Sequence, residues 1–109
     1  MIARLWRGSA ANSLNADAYV RHFTETVTAE LQHLAGHRGA WLLRREVNGG
    51  TEFIALTLWE SRQSIEAFSG PDISKSVVEP EARLVLTEFD DFASHYEVAC
   101  TTGEASSSS

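Results

Sequence analysis

Tyr19, Phe23, Val27 and Leu31 recur every four residues, with Val20 and Leu34 flanking the same stripe. That spacing predicts one buried face of a helix of about five turns, running from residue 16 to near Gly36, with Ser13 or Asn15 available as N-cap. Before it, residues 2–7 interleave aromatic and aliphatic side chains with arginines until Gly8 and the polar run 9–15 interrupt them, the pattern of a first strand. Residues 39–47 and 51–60 are rich in strand formers and are separated only by Asn48-Gly49-Gly50, which predicts a hairpin. Ser61 suits an N-cap, and Ile65 with Phe68 sets one apolar stripe on a short helix that stops at Gly70-Pro71. Pro80 fits the first turn of another helical segment, with Leu84, Val85 and Phe89 expected toward the core. Residues 92–98 alternate apolar and polar as a last strand.

The order β-α-β-β-α-β, with an extra helical turn, predicts an α+β, ferredoxin-like fold: a four-stranded antiparallel sheet with helices on one face. At 109 residues one domain is expected, over residues 1–99, followed by a small polar tail over 100–109 that has nothing to fill a core with. In residues 53–59 the set Ile54, Leu56, Leu58 and the opposite set Phe53, Ala55, Thr57, Trp59 are both largely apolar. Helices can cover only one of these faces. The other is expected to meet a second copy of the chain, giving a homodimer through the sheet face, unless the loop 70–79 or the tail folds over it.

Charge and cysteine content narrow the classes. A net charge of −6 argues against a nucleic-acid partner, which needs a field of Lys and Arg to displace counterions. The single cysteine, Cys100, excludes an internal disulfide and a Cys-based metal cluster. Arg4 and Arg7 break the N-terminal stretch before a secretory h-region could form, and no segment approaches the ~20 apolar residues of a membrane span. The expectation is a cytoplasmic protein with no membrane partner.

Among chemistry-bearing residues, His33 and His37 have the i, i+4 spacing of a metal pair, but Gly36 between them is expected to end the helix. No metal site is expected, and these read as solvated helix-end histidines; His22, off the apolar stripe, reads as a surface residue. His95 sits inside the last strand. It is either a base, suited to removing a proton from an acidic phenol near neutral pH, or a structural histidine bonded to a neighbour such as Glu97. Trp6, Trp59 and Tyr96 either line an aromatic pocket or pack the core. Arg4 shares a strand face with Trp6 and is a candidate to bind a substrate oxyanion, or a salt-bridge partner at the dimer face. Arg44-Arg45 reads as a solvated hairpin end, and phosphate-loop glycine patterns are absent.

The segment Thr57-Leu58-Trp59-Glu60-Ser61, followed by Ile65, Phe68 and Val77-Val78-Glu79-Pro80, resembles the strand–helix core of the antibiotic biosynthesis monooxygenase family, as does the closing His95-Tyr96-Glu97-Val98. The resemblance implies a dimeric α+β barrel with a small-molecule pocket between sheet and helices in each subunit. It also implies chemistry of the family's kinds: cofactor-independent oxygenation of polycyclic phenols, heme degradation, or processing of signalling molecules. Where the heme-degrading branch carries a histidine ligand this chain has Val78. Where that branch has an asparagine near the end of the first strand and a tryptophan in the second helix, it has Trp6-Arg7 and Phe68. Heme degradation is therefore not expected, and no cofactor is. The expected function is a cofactor-independent oxygenase of an aromatic or polyketide-like molecule, with His95 and Arg4 catalytic and Trp6, Trp59, Tyr96 and Phe68 binding substrate. The alternatives are a non-catalytic binding or stress-response dimer of the same fold, or a cofactor-free isomerase or lyase.

Overall fold

The computed structural model describes residues 1–103. The elements are β1 (Ile2–Ala10), α1 (Ser13–His22), a π-helical turn (Phe23–Val27), α2 (Thr28–Gln32), β2 (His37–Val47), β3 (Gly50–Trp59), α3 (Arg62–Ser69), α4 (Pro80–Val85), β4 (Glu88–Phe89) and β5 (Ser94–Glu97). The sheet is antiparallel, ordered β2-β3-β1, with β4 and β5 both pairing the free side of β1. This is the expected α+β arrangement with helices on one side. It has five strands rather than four because the last strand is interrupted. Asp90 N–H still donates to Arg7 O on β1 (2.9 Å), but residues 91–93 leave β1 and their backbone pairs instead with the loop before α4: Ser76 N–H donates to Asp91 O (3.0 Å) and Ala93 N–H to Ser74 O (2.7 Å).

The long helix starts at Asn12 rather than at Ser13 or Asn15, because the Asn12 side chain accepts the Asn15 amide (2.8 Å). Its apolar stripe explains the π turn. Residues spaced by four overshoot a 3.6-residue turn by about 40° at each step, so a pure α-helix would carry Leu31 well round from Tyr19. The wider winding, with Thr28 N–H donating to Phe23 O, takes up that overshoot. Phe23 and Leu31 are both buried as a result. In α4 Ala82 is buried and Val85 packs against the core, as does Leu86 just after the helix, while Leu84 is 84% exposed. The helix ends at Val85 and Leu86 is already extended, so Leu84 points outward and Phe89 belongs to β4.

The inward face of the sheet carries Ile2, Arg4, Trp6, Phe53, Thr57 and Trp59 under the helices. Two clusters form there. One gathers Trp6, Tyr19, Phe23 and Phe53; the other gathers Ile2, Leu31, Trp59 and Ile65; Val27 packs against both. The opposite face presents Leu5, Leu56 and Leu58 together with Trp41, Leu43 and Tyr96, the last three 41%, 48% and 56% exposed. The loop 70–79 does not cover it: Ile73 packs into the second inward cluster. Of the polar tail, residues 104–109 lie outside the described residues. No helix among the described residues is long and apolar enough to cross a membrane.

The hairpin turns through Asn48 and Gly49, both at positive φ (49° and 83°), the backbone that Asn-Gly favours. Gly36, at φ +86°, ends the helical region, and a Cβ there would lie 2.5 Å from Ser64 Cβ. Gly36→Ala should therefore cost both backbone strain and a collision with α3, at least about 2 kcal/mol, whereas Gly49→Ala, with nothing within 4 Å, should cost only the strain, about 1 kcal/mol. Urea denaturation of the two variants measures the difference.

Candidate functional site

A cavity lies at the seam between the two apolar clusters. Its floor is the sheet, through Arg4, Trp6 and Thr57; its roof is the helix through Tyr19 and the π-turn residues Phe23 and Val27; Phe68 and Val77 close it. It is narrow, about 50 Å³, against roughly 300–1,000 Å³ for a site that encloses a drug-sized ligand.

Arg4 is the unusual wall. It is 4% exposed, yet its partners are the carbonyls of Ile73 and Lys75 (2.8 Å to the latter), the ring of His95 and the face of Phe68 (5.8 Å to the centroid). No carboxylate neutralises it among the described residues. Burial pulls its pKa down to about 10, which still leaves the guanidinium charged near neutral pH. Burying a cation is costly unless it is hydrogen-bonded and compensated. A cation held by neutral dipoles beside an apolar cavity is chemically suited to an oxyanion.

His95 pairs directly opposite Arg4 across β5 and β1, so the two share the inward face. Its Nε2 lies 2.9 Å from Arg4 Nη1. A guanidinium can only donate, so Nε2 accepts and the imidazole is neutral. Burial first, then the charges of Arg4 and Arg62, hold its pKa below the ordinary histidine value.

The structure brings Arg4, His95, Trp6 and Phe68 together. Trp6 lines the cavity and anchors its indole N–H on Asp90 O (2.9 Å). Trp59 is fully buried behind it in the second cluster, donating to Thr57 Oγ1 (2.9 Å) with its ring against Phe68 and His37. Tyr96 pairs with Ala3, one residue out of phase with Arg4, so it stands on the opposite face of the sheet. His22 is not a surface residue; its side chain is 9% exposed and sits 3.7 Å from Glu79, because the segment entering α4 packs over it. His37 is not solvated either: its Nε2 is enclosed without a partner, and burial lowers its pKa. Among the described residues no three His, Cys, Asp or Glu side chains cluster as metal ligands. Tyr19, Phe23 and Val27 are cavity residues that the helical stripe flagged only as core. The signal was a tyrosine, with its hydroxyl, in an otherwise apolar row.

The antibiotic biosynthesis monooxygenase family model matches residues 11–80. Among solved structures the chain is similar to MhuD of Mycobacterium tuberculosis, a heme-degrader with two hemes bound in its active site, at 21% identity over 94% of this chain and 100% of that one, with a TM-score of 0.63. It is also similar to a monooxygenase from the gene ActVA-Orf6 of Streptomyces coelicolor, in complex with nanaomycin D, at 15% identity over 93% of this chain and 89% of that one, with a TM-score of 0.62. At these identities the likeness carries the fold. A comparison with curated proteins finds no match.

The two lowered histidines give the site a pH signature. In the unfolded chain each titrates near ~6.5, so below that value the unfolded state binds more protons than the folded one and stability falls with acid. The stabilisation is full above ~6.5 and is lost as pH drops toward the lowered folded values of His37 and His95. The urea midpoint should fall between about pH 7.5 and 5.5, and the fall should shrink in His37→Gln and in His95→Gln.

Proposed function

Because the chain belongs to the antibiotic biosynthesis monooxygenase family, we propose that it works as a homodimeric, cofactor-independent oxygenase of a planar aromatic or polyketide-like molecule, in the cytoplasm, with residues 1–99 as the working domain. The observation that carries this reading is Arg4: a buried guanidinium with no carboxylate partner among the described residues, beside an apolar cavity and in contact with a neutral histidine. A phenol entering there gives its proton to His95 Nε2, and its oxyanion takes the place of that imidazole on Arg4. Trp6 and Phe68 flank the ring, and Trp59 backs Phe68. The electron-rich ring then reacts with dioxygen. One oxygen atom enters the product as a quinone carbonyl, the other leaves as water with the hydrogens lost from carbon and oxygen, and one dioxygen is consumed per phenol.

The homodimer rests on the open sheet face, where Trp41, Leu43, Leu56 and Tyr96 form an apolar surface that a second copy would cover by the same patch. Tyr96 then belongs to the interface or to a part of the pocket completed there. Heme does not fit the residues present. No imidazole or thiolate lines the cavity directly; the nearest imidazole, His95, reaches it only through Arg4, on which its Nε2 is engaged, and Val78 packs on the first apolar cluster.

A second reading is favoured by the narrow cavity and by the engagement of His95 Nε2 with Arg4: a non-catalytic binder that retains a metabolite. Oxygen uptake with a polycyclic phenol separates them. The oxygenase should consume one dioxygen per quinone formed, and His95→Ala should slow it by roughly 10²–10⁴-fold. Tryptophan quenching without oxygen uptake would favour the binder, and turnover that persists without oxygen would indicate an isomerase or lyase. Native mass spectrometry of the same sample should report a dimer; a monomer would remove the sheet-face argument.

A further inference from the structure

Tyr19 is 4% exposed. Its ring is held on several sides, by Phe53 at 4.9 Å, Trp6 at 6.2 Å, and Phe23 and His22 at 6.4 Å between centroids. A buried tyrosine normally gives its hydroxyl an acceptor. Here no hydrogen bond is made by the phenol among the described residues, nor is its oxygen sealed: the one enclosed side-chain polar atom without a partner among those residues is His37 Nε2. A hydroxyl that is neither bonded nor sealed has open space beside it, and the Tyr19 side chain lines the cavity. Arg4 lines the same cavity from the sheet, so a polar group stands on the helix wall and another on the floor, with an apolar body between them.

We propose that Tyr19 is a specificity-determining residue. Its hydroxyl donates to an acceptor oxygen of the ligand while the ligand's anionic oxygen lies on Arg4. This deepens the reading of the cavity as an aromatic site and rests on it. The class of ligand follows: a planar, largely apolar molecule with one ionised oxygen and a second, uncharged carbonyl oxygen, as in a hydroxyquinone. A molecule with the anion alone fills only half of the polar demand and leaves the phenol unpaired. The same burial that closes the ring in, with the Glu79 charge second, raises the Tyr19 pKa well above the ordinary phenol, so the group remains a donor throughout the neutral range. The surrounding rings hold it in one orientation, so little side-chain freedom is lost when it bonds.

Two probes test this by titration calorimetry: 2-hydroxy-1,4-naphthoquinone, whose hydroxyl is ionised near neutral pH and which carries carbonyl oxygens, and 2-naphthoate, which carries the anion alone. Tyr19→Phe keeps the ring and removes the donor. The expected result is that Tyr19→Phe weakens the hydroxyquinone by roughly 3–10-fold, the value of one hydrogen bond, and leaves naphthoate as in the wild type. Unchanged hydroxyquinone binding in Tyr19→Phe would overturn the role of Tyr19 while the aromatic cavity stands. Equal weakening of both probes would also overturn it, since that is what loosened ring packing produces. Failure of the wild type to bind either probe would overturn the aromatic-cavity reading itself, and this inference with it.

Discussion

The interior is organised around a charge that has no counter-charge among the described residues. Arg4 lies on the central strand between the two apolar clusters, and the guanidinium must be satisfied where it is or the strand cannot be buried there. The solution is distributed. Two carbonyls of the loop after α3, the lone pair of His95 and the face of Phe68 each take part. Three separate segments are thereby drawn to one point: the loop, the last strand and α3. Ile73 follows its carbonyl into the second cluster. The neighbouring Ser74 and Ser76 backbone captures Asp91 and Ala93, which is why the final strand is broken in two.

The cavity is a by-product of the same arrangement. Apolar side chains cannot close over a solvated-like charge as they close over each other, so the two clusters meet imperfectly above Arg4. Their seam is bridged by Val27 and walled by Phe23. On the sheet side this wall is held by the β1–β3 ladder, and on the loop side by the two carbonyls that Arg4 bonds. A larger ligand would have to compete with Ile73 and Lys75 for the guanidinium, and competition at Arg4 therefore also loosens the loop.

Topology was legible because it rests on periods. The change from period four in residues 19–31 to period two in 51–60, the Asn48-Gly49 turn and the Ser61 cap each have a local cause. The family resemblance pointed to the same fold, and Arg4 and His95, each singled out by its chemistry, are in contact in the structure. What was not legible is phase between strands. Adjacent residues of a strand face opposite ways, so only one of His95 and Tyr96 can join Arg4. The choice depends on pairing Arg4 with His95 rather than with Tyr96, a register set by tertiary packing. Leu84 was misplaced for a similar reason, since a helix of under two turns takes its orientation from its neighbours. His22 and His37 looked solvated because their cover comes from segments distant in sequence.

The π turn has a meaning beyond geometry. It amounts to a surplus residue in the helix wall, and helices lose such surpluses easily by deletion. Loss of one residue between 23 and 27 would restore regular winding and rotate everything before it, Tyr19 included, by about 100° relative to Leu31. The helix would be locally better bonded and the cavity would have a different roof. For this chain, a one-residue change in length would remodel the cavity roof as a whole, where a change of side chain alters one point of it.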